Sequence, residues 1–211
     1  MIANVYVDGF SLYYGSLKET AYRWLDIGKL CNEMYPELSI KRIRYFTAKV
    51  DPRKDDPGIQ DRQKAILRAL RTIPNLSIVY GRYRSHYVRL PSGGDYRKGI
   101  VNFVEVFKTE EKGSDVNLAT YMMDDAYRKE IEVAVLISND TDFLSPLRFL
   151  KGRQIKVWIL SPTTRPSRWP ASLLINHADR ADEIPVDKLR DCQFPAILKD
   201  KDGTFSKPDS W

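Results

Sequence analysis

Four aspartates of this sequence lie where their carboxylates could act together in catalysis. They are Asp8, Asp115, Asp140 and Asp142. Two apolar runs with strand character, residues 2–7 and 133–138, end directly before Asp8 and before the segment that holds Asp140 and Asp142. Asp115 follows Gly113 and Ser114 at the start of a predicted helix. Because ligands of open α/β sheets bind at the carboxyl ends of the strands, we expect the four carboxylates to meet at that edge.

A cluster of aspartates favours a site for a hard divalent cation. Neighbouring carboxylates repel one another unless a cation neutralises them, and Mg²⁺ or Mn²⁺ prefers oxygen ligands. These ions usually keep several waters and accept a substrate phosphate as a further ligand, so the set points to metal-dependent phosphodiester hydrolysis. Taken singly, each aspartate has an ordinary interpretation, since Asp115 and Asp142 lie where a helix cap or turn would explain them. Their coincidence at three strand or helix ends favours a site.

Other catalytic chemistry has few candidate residues. The chain has two histidines, His86 and His177, and two cysteines, Cys31 and Cys192, with no zinc-binding spacing and no nucleophile motif. The cysteines are therefore predicted to be buried, reduced thiols, which suits a cytoplasmic protein.

Composition is that of an ordinary globular domain. The chain has 211 residues, 43% hydrophobic and 29% charged, and its 34 basic against 28 acidic residues give a net charge of +6. The hydrophobic fraction excludes a disordered chain, and the positive net charge permits a polyanionic partner. No run approaches the ~20 apolar residues that a membrane span needs, and the N-terminus does not have the pattern of a signal peptide.

Strands and helices alternate along the chain. Predicted strands cover residues 2–7, 40–50, 76–90, 99–107, 133–138 and 155–160. Predicted helices cover residues 24–34, about 14 residues ending near Thr72, a segment from Asp115 to about Arg128, and residues 143–150. This order predicts an α/β fold with a mostly parallel sheet and helices on both faces. Residues 76–107 are expected to insert a long β-hairpin that turns at residues 91–95.

Three ordered segments resemble the NYN domain, a branch of the PIN-like nuclease superfamily. They are residues 5–15 (VYVDGFSLYYG), 111–119 (EKGSDVNLA) and 138–143 (SNDTDF). Residues 178–182 and 193–195 also resemble stand-alone bacterial members. The resemblance covers nearly the whole chain and implies a Rossmann-like, PIN-type three-layer α/β/α sandwich over residues 1–185, with residues 186–211 as an extension packed on it.

The resemblance further implies a Mg²⁺- or Mn²⁺-dependent ribonuclease, with an endonuclease favoured. Carried over by motif position, Asp8, Asp115, Asp140 and Asp142 would be the catalytic and metal-binding residues, and Asn139 and Ser11 would contact the substrate. Ser11 departs from the asparagine usual in the family, and its hydroxyl has fewer hydrogen-bonding groups than an amide. A homodimer is also suggested, since PIN-like proteins often dimerise, although no segment identifies an interface.

Candidate RNA contacts are basic and aromatic. Lys112 could bind the scissile phosphate or could be a solvated lysine paired with Glu110 or Glu111. The hairpin carries Tyr80, Arg82, Tyr83, Arg84, His86, Tyr87, Arg89, Arg97 and Lys98. Cations bind phosphates and aromatic rings stack on unpaired bases, so this is the predicted RNA surface, with Arg82 and Arg84 as its main contacts. The alternative is a solvated cationic edge strand.

Several remaining residues have two interpretations. Arg165 and Arg168 form a second basic candidate, and Tyr13 and Tyr14 could contact substrate or pack. Asp124 and Asp125 point away from Asp115 on a helix and are predicted to be surface charges or partners of Arg128. Residues 200–203 are predicted to form a hairpin turn.

Two other functions compete with a ribonuclease. A phosphatase of the haloacid dehalogenase type would have two aspartates, one residue apart, after the first strand, whereas here the pair comes late. An RNA- or partner-binding module with a degenerate site has only Ser11 in its favour.

Overall fold

The computed structural model describes residues 1–52, 54–92, 99, 102–162 and 172–211. The strands are β1 (Ile2–Asp8), β2 (Ser39–Thr47), β3 (Leu76–Tyr80), β4 (Arg82–Pro91), β5 (Phe103–Lys112), β6 (Val133–Ile137), β7 (Lys156–Ser161), β8 (Arg180–Glu183), β9 (Ile197–Asp200) and β10 (Gly203–Ser206). Six of them form a central sheet in the order β3-β2-β1-β6-β7-β8, and each neighbouring pair is parallel. The predicted parallel sheet is confirmed.

Helices cover both faces of the sheet. They are α1 (Gly9–Leu12), which continues as a π-helical turn (Tyr13–Leu17), α2 (Ile27–Met34), α3 (Ile59–Leu70), α4 (Ser114–Tyr127), a 3₁₀ turn (Thr141–Phe143) that runs into α5 (Leu144–Gly152), α6 (Ser172–Ile175) and α7 (Val186–Asp191). Alternate residues of β1 are buried in two different cores: Val5 and Val7 lie with Leu67 of α3, and Tyr6 lies with Leu118 of α4. This arrangement is the predicted three-layer α/β/α sandwich.

The inserted hairpin is present, but the strand that leads into it is divided. The predicted strand over residues 76–90 breaks at Gly81, so that β3 joins the central sheet while β4 pairs with β5 in an antiparallel hairpin. Strand β5 extends to Lys112, beyond the predicted end, because both faces of the hairpin are largely exposed and the strand needs no apolar residues there. Most of the predicted turn lies outside the described residues, as do Arg97 and Lys98.

Residues 186–211 pack against the body of the domain. Leu189, Cys192 and Phe194 are buried in the core that contains Trp24, whose indole nitrogen donates to the carbonyl of Pro195 at 2.9 Å. Strands β9 and β10 form the predicted hairpin. The predicted buried, free thiols of Cys31 and Cys192 are confirmed. Within the described ranges, no helix has the length and apolar character required to cross a bilayer.

Helix α4 buries Asp125, which corrects the prediction that this aspartate is a surface charge. The residue is 1% exposed and accepts hydrogen bonds from three polar side chains: Asn4, Tyr6 and Arg44. All three belong to the face of β1 and β2 that α4 covers, and their polar groups need a buried partner. Asp124 instead lies at the surface and pairs with Arg128, as predicted.

Candidate active site

Asp8 ends β1 and is held by hydrogen bonds on both carboxylate oxygens. Oδ1 accepts from the backbone amides of Phe10 (3.1 Å) and Ser11 (3.0 Å). Oδ2 accepts from the hydroxyls of Ser11 (2.5 Å) and Ser138 (2.9 Å). The side chain is only 5% exposed, so these four donors fix its orientation. Ser11 therefore positions Asp8.

Asp140 and Asp142 follow the neighbouring strand β6. The pairing of Val7 with Ile137 places the ends of β1 and β6 side by side. Asp140 is anchored by its amide, which donates to the Ser138 hydroxyl at 3.1 Å, and its Oδ1 accepts from the Asp142 amide at 2.9 Å. Asp140, and not Asp142, is thus the residue that caps the 3₁₀ turn. The Asp142 carboxylate is exposed and has no hydrogen bond or ion pair with another described residue.

Asp115 lies in the first turn of α4 without capping it. Gly113 precedes the helix in a left-handed conformation (φ +98°). The carboxylate of Glu111 accepts from the amide of Ser114 at 3.1 Å and from its hydroxyl at 2.6 Å. Glu111 therefore takes the capping role that the sequence allowed for Asp115. Within the described ranges, the Asp115 carboxylate has no hydrogen-bonding partner.

The other three predicted aspartates and Glu111 lie close enough to Asp115 to influence its carboxylate. Burial raises the pKa of Asp115 to about 6, with further contributions from the negative charges of Asp8, Asp140, Glu111 and Asp142. We call these five residues the acidic cluster. Sequence reasoning missed Glu111 as a member. The available signal was its position three residues before Ser114, close to the predicted start of the helix that carries Asp115.

The acidic cluster has the ligand chemistry of a magnesium or manganese site. Its donors are carboxylate oxygens, and the neighbouring Asn139 Oδ1 is buried without a hydrogen-bond partner. In the described part of the chain, no three acidic, histidine or cysteine side chains converge into a ready-made cage. A divalent cation bound there would have one or two carboxylates as ligands and would complete its coordination with waters and substrate phosphates.

The base of the hairpin lies beside the acidic cluster. Strand β5 ends two residues before Ser114, and Arg82 pairs with Lys112 across the hairpin while Arg84 pairs with Glu110. Both arginines are exposed, and Lys112 forms an ion pair with Glu110 at 3.4 Å. The basic side chains are therefore near the start of α4, although the structure shows no contact between them and the aspartates. Arg165 and Arg168 lie outside the described residues.

An aromatic pocket adjoins the acidic cluster at Gly9 and Phe10, the two residues that follow Asp8. Its cavity measures about 200 Å³. The rings that line it are those of Phe10, Tyr13, Tyr14, Tyr45, Tyr83 and Trp211, and Arg23 and Arg62 line it as well. Burial raises the pKa of Tyr45, and the negative charge of Asp8 adds to the effect. Sequence reasoning missed this pocket because its residues come from five distant segments.

Gly9 explains how the pocket approaches Asp8. A Cβ at this position would come within 2.6 Å of the Phe46 carbonyl oxygen and 2.8 Å of the Tyr45 ring. Only glycine lets the backbone that follows Asp8 lie directly on the Tyr45 ring.

Gly81 sets the position of Glu111 and the start of α4. A Cβ there would lie 2.1 Å from Glu111 Oε1 and 2.9 Å from the Ser114 amide. We expect Gly81→Ala to displace the Glu111 cap and to lower the free energy of unfolding by about 1–3 kcal/mol through overpacking. Thermal unfolding and Mn²⁺ titration of the variant measure both effects, since a displaced α4 should also weaken metal binding.

Gly152→Ala is the matched control, because a Cβ at Gly152 meets nothing within 4 Å. Equal stability and equal metal binding in the two variants would contradict this role for Gly81.

Comparison with known proteins places these features in a family. The family model of the NYN domain matches residues 3–187. The chain is 28% identical to 6-hydroxy-3-succinoylpyridine 3-monooxygenase HspA from Pseudomonas putida, over 99% of this chain and 74% of that protein. Its fold is similar to the crystal structure of a protein of unknown function from Vibrio parahaemolyticus, with a TM-score of 0.55 and 19% identity, over 88% of this chain and 93% of the other.

Proposed function

Because this chain belongs to the NYN domain family, which is nuclease-like, we propose that it is a metal-dependent ribonuclease that hydrolyses RNA phosphodiester bonds at the acidic cluster. The observation that carries this proposal is the negative charge that surrounds the partly buried carboxylate of Asp115. Four other negative charges contribute to the rise in its pKa. Such an arrangement opposes folding unless a cation neutralises it, and selection for a site is the simplest reason to keep it.

The residues of the cluster divide into fixed and free carboxylates. Asp8 and Asp140 are held by hydrogen bonds, so they offer oxygens in set positions. Asp115 and Asp142 are not hydrogen-bonded through their carboxylates within the described residues and can turn toward a ligand. Bound here, Mg²⁺ or Mn²⁺ would neutralise these carboxylates and stabilise the charge that develops on the cleaved phosphate. Below about pH 6, Asp115 would release a proton as the cation binds, because a ligand carboxylate must be ionised.

Lys112 and the hairpin arginines are proposed to receive the RNA backbone. Lys112 lies two residues before Ser114, and its ammonium group forms an ion pair with the half-buried Glu110. A substrate phosphate can compete for this cation, since ion pairs at the surface are weak. Arg82 and Arg84 extend the positive charge along β4. We propose endonucleolytic cleavage, which cutting of a circular RNA would demonstrate.

The test is Mn²⁺-dependent cleavage of a labelled single-stranded RNA by the wild type, Asp8→Asn and Asp140→Asn. We expect both variants to lose activity by about 100-fold or more, because each loses a fixed anionic oxygen. Asparagine caps turns as well as aspartate does, so Asp140→Asn should keep the 3₁₀ turn. Equal cleavage by all three proteins would identify a contaminant and contradict the proposal.

The structure weakens the case for a degenerate binding module. Ser11 was its only support, and the Ser11 hydroxyl donates to Asp8 at 2.5 Å. The departure from asparagine therefore leaves the neighbouring aspartate well positioned. A rise in melting temperature with Mn²⁺ separates the two functions, since a ligand that binds only the folded state stabilises it.

The relative HspA supports a second candidate function, namely action on a small heteroaromatic acid. The aromatic pocket beside Asp8 favours it, because Arg23 and Arg62 could receive a carboxylate there. Oxygen uptake that depends on both 6-hydroxy-3-succinoylpyridine and a reduced nicotinamide or flavin would support this function. Absence of uptake, together with RNA cleavage, would exclude it.

A further inference from the structure

We propose that the aromatic pocket binds one planar heterocyclic ring, and that this ring is the unpaired base of the RNA nucleotide whose phosphate lies at the acidic cluster. The inference rests on the proposed function. It assigns to the pocket the choice of nucleotide at the cleavage position. A free heteroaromatic acid shares the same ring chemistry, and the experiment below distinguishes the two sources.

The size and lining of the pocket suit a single ring system. Its volume of about 200 Å³ lies below the ~300 Å³ at which pockets for drug-sized ligands begin. Phe10 and Tyr83 meet edge to face with centroids 6.1 Å apart, and Tyr13 and Tyr14 meet at 5.2 Å. Aromatic rings of this kind are the usual means by which proteins hold unpaired bases.

The pocket and the acidic cluster share a wall. Gly9 and Phe10 line the pocket and directly follow Asp8, whose Oδ1 accepts from the Phe10 amide at 3.1 Å. On the opposite side, Tyr83 lines the pocket and pairs across the hairpin with Glu111 of the cluster. A ligand that spans this wall would place a phosphate at the cation-loaded cluster and a ring in the pocket, as a nucleotide does.

The charge of the pocket favours an anionic ligand. Burial raises the pKa of Tyr13, while Arg23 and Arg62 act against that rise, so both guanidinium groups are near its hydroxyl. Arg62 is paired with Asp56. Arg23 donates to the carbonyls of Thr20 (3.0 Å) and Ser210 (3.3 Å) and forms no ion pair with a described carboxylate. The positive charge of Arg23 is therefore available to the sugar-phosphate chain of a bound nucleotide.

The experiment measures ring binding without metal and without cleavage. AMP, UMP, ribose 5-phosphate and 6-hydroxy-3-succinoylpyridine are titrated in EDTA, and quenching of tryptophan fluorescence is read, with Trp211→Phe to assign the signal to Trp211 of the pocket. We expect AMP or UMP to bind and Tyr83→Leu to weaken that binding about tenfold, since stacking on one aromatic ring is worth roughly 1–3 kcal/mol.

Two further variants keep the result interpretable. Tyr14 lines the same pocket and is 54% exposed, so Tyr14→Leu replaces Tyr83→Leu if the latter does not fold. Tyr127→Leu is the matched control, because Tyr127 is 68% exposed at the end of α4 and does not line the pocket.

The outcomes separate this inference from the proposed function. Binding of a nucleotide but not of ribose 5-phosphate, weakened only by the pocket variants, supports the inference even if no RNA is cleaved. Binding of 6-hydroxy-3-succinoylpyridine with no nucleotide binding would overturn it in favour of a free heterocycle. No ring-dependent quenching, or equal weakening by Tyr127→Leu, would also overturn it, whether or not the acidic cluster cleaves RNA.

Discussion

Asp115→Asn is expected to lower Mn²⁺-dependent RNA cleavage by more than about 100-fold while the protein stays folded. Loss of a group that only supports a metal ligand typically costs 10- to 100-fold, so loss of a ligand carboxylate should cost more. The fold should tolerate the change because Glu111 caps α4 and Asp115 makes no hydrogen bond through its carboxylate within the described residues. Single-turnover cleavage and circular dichroism measure the two effects.

The same substitution should change how stability depends on pH when no metal is present. The pKa of Asp115 is about 6 in the folded protein and about 3.9 in an unfolded chain. The folded state therefore holds its proton more tightly. The contribution of the protonated Asp115 to stability is complete below about pH 4 and is lost as the pH rises through about 6. Asp115→Asn removes this contribution and should flatten stability between those values.

Asp124→Asn is the control for both measurements. Asp124 lies on the same helix, is half-buried, and pairs with Arg128. We expect it to keep full cleavage and an unchanged pH dependence between pH 4 and 6. If Asp124→Asn and Asp115→Asn lowered cleavage equally, the loss would come from α4 as a whole and not from the Asp115 carboxylate.

Strand ends and motif order predicted the position of the aspartates because all strands of a parallel sheet end at the same edge. Once residues 2–7 and 133–138 are strands of one parallel sheet, Asp8 and Asp140 must leave the sheet at the same edge. The roles of the neighbouring residues depend on contacts between distant segments. From sequence alone, Glu111 is a possible ion-pair partner of Lys112, whereas in the structure its carboxylate accepts from the Ser114 hydroxyl.

The sequence did not predict the aromatic pocket or the division of the strand before the hairpin, because both depend on contacts between distant segments. The run over residues 76–90 has uniform strand character, and its division at Gly81 follows from the close approach of Glu111. Tyr45 and Trp211 are 166 positions apart, and no local pattern relates them. Local periodicity identifies helices and strands, whereas this pocket forms where residues from several distant segments meet.

Asp125→Ala is expected to destabilise the fold by about 3–5 kcal/mol, the typical effect of removing one partner from a buried ion pair. The Asp125 carboxylate is 1% exposed and accepts from Asn4 and Tyr6 at 2.7 Å each in addition to its pair with Arg44. Without it, the Arg44 guanidinium would stay buried without its counter-charge. At about 2–4 °C per kcal/mol for a chain of this size, the melting temperature should fall by roughly 6–20 °C.

The pH dependence of this effect has the opposite sign to that of Asp115. Burial acts to raise the pKa of Asp125, but the hydrogen bonds from Arg44, Tyr6 and Asn4 outweigh it and hold the pKa below its usual range. The contribution to stability is therefore present above the unfolded pKa of about 3.9 and is lost as the pH falls below it. Acid unfolding monitored by circular dichroism should show the wild type and Asp125→Ala converging in stability at low pH.

A double variant distinguishes an uncompensated charge from lost packing. Removing both charges, as in Asp125→Ala with Arg44→Leu, should recover part of the stability lost in Asp125→Ala, because no unpaired guanidinium then remains in the core. Further loss in the double variant would show instead that Arg44 stabilises the fold through its contact with the Tyr121 ring, 4.7 Å away. Since both residues lie between the sheet and α4, which carries Asp115, recovery of stability should be accompanied by recovery of Mn²⁺ binding at the acidic cluster.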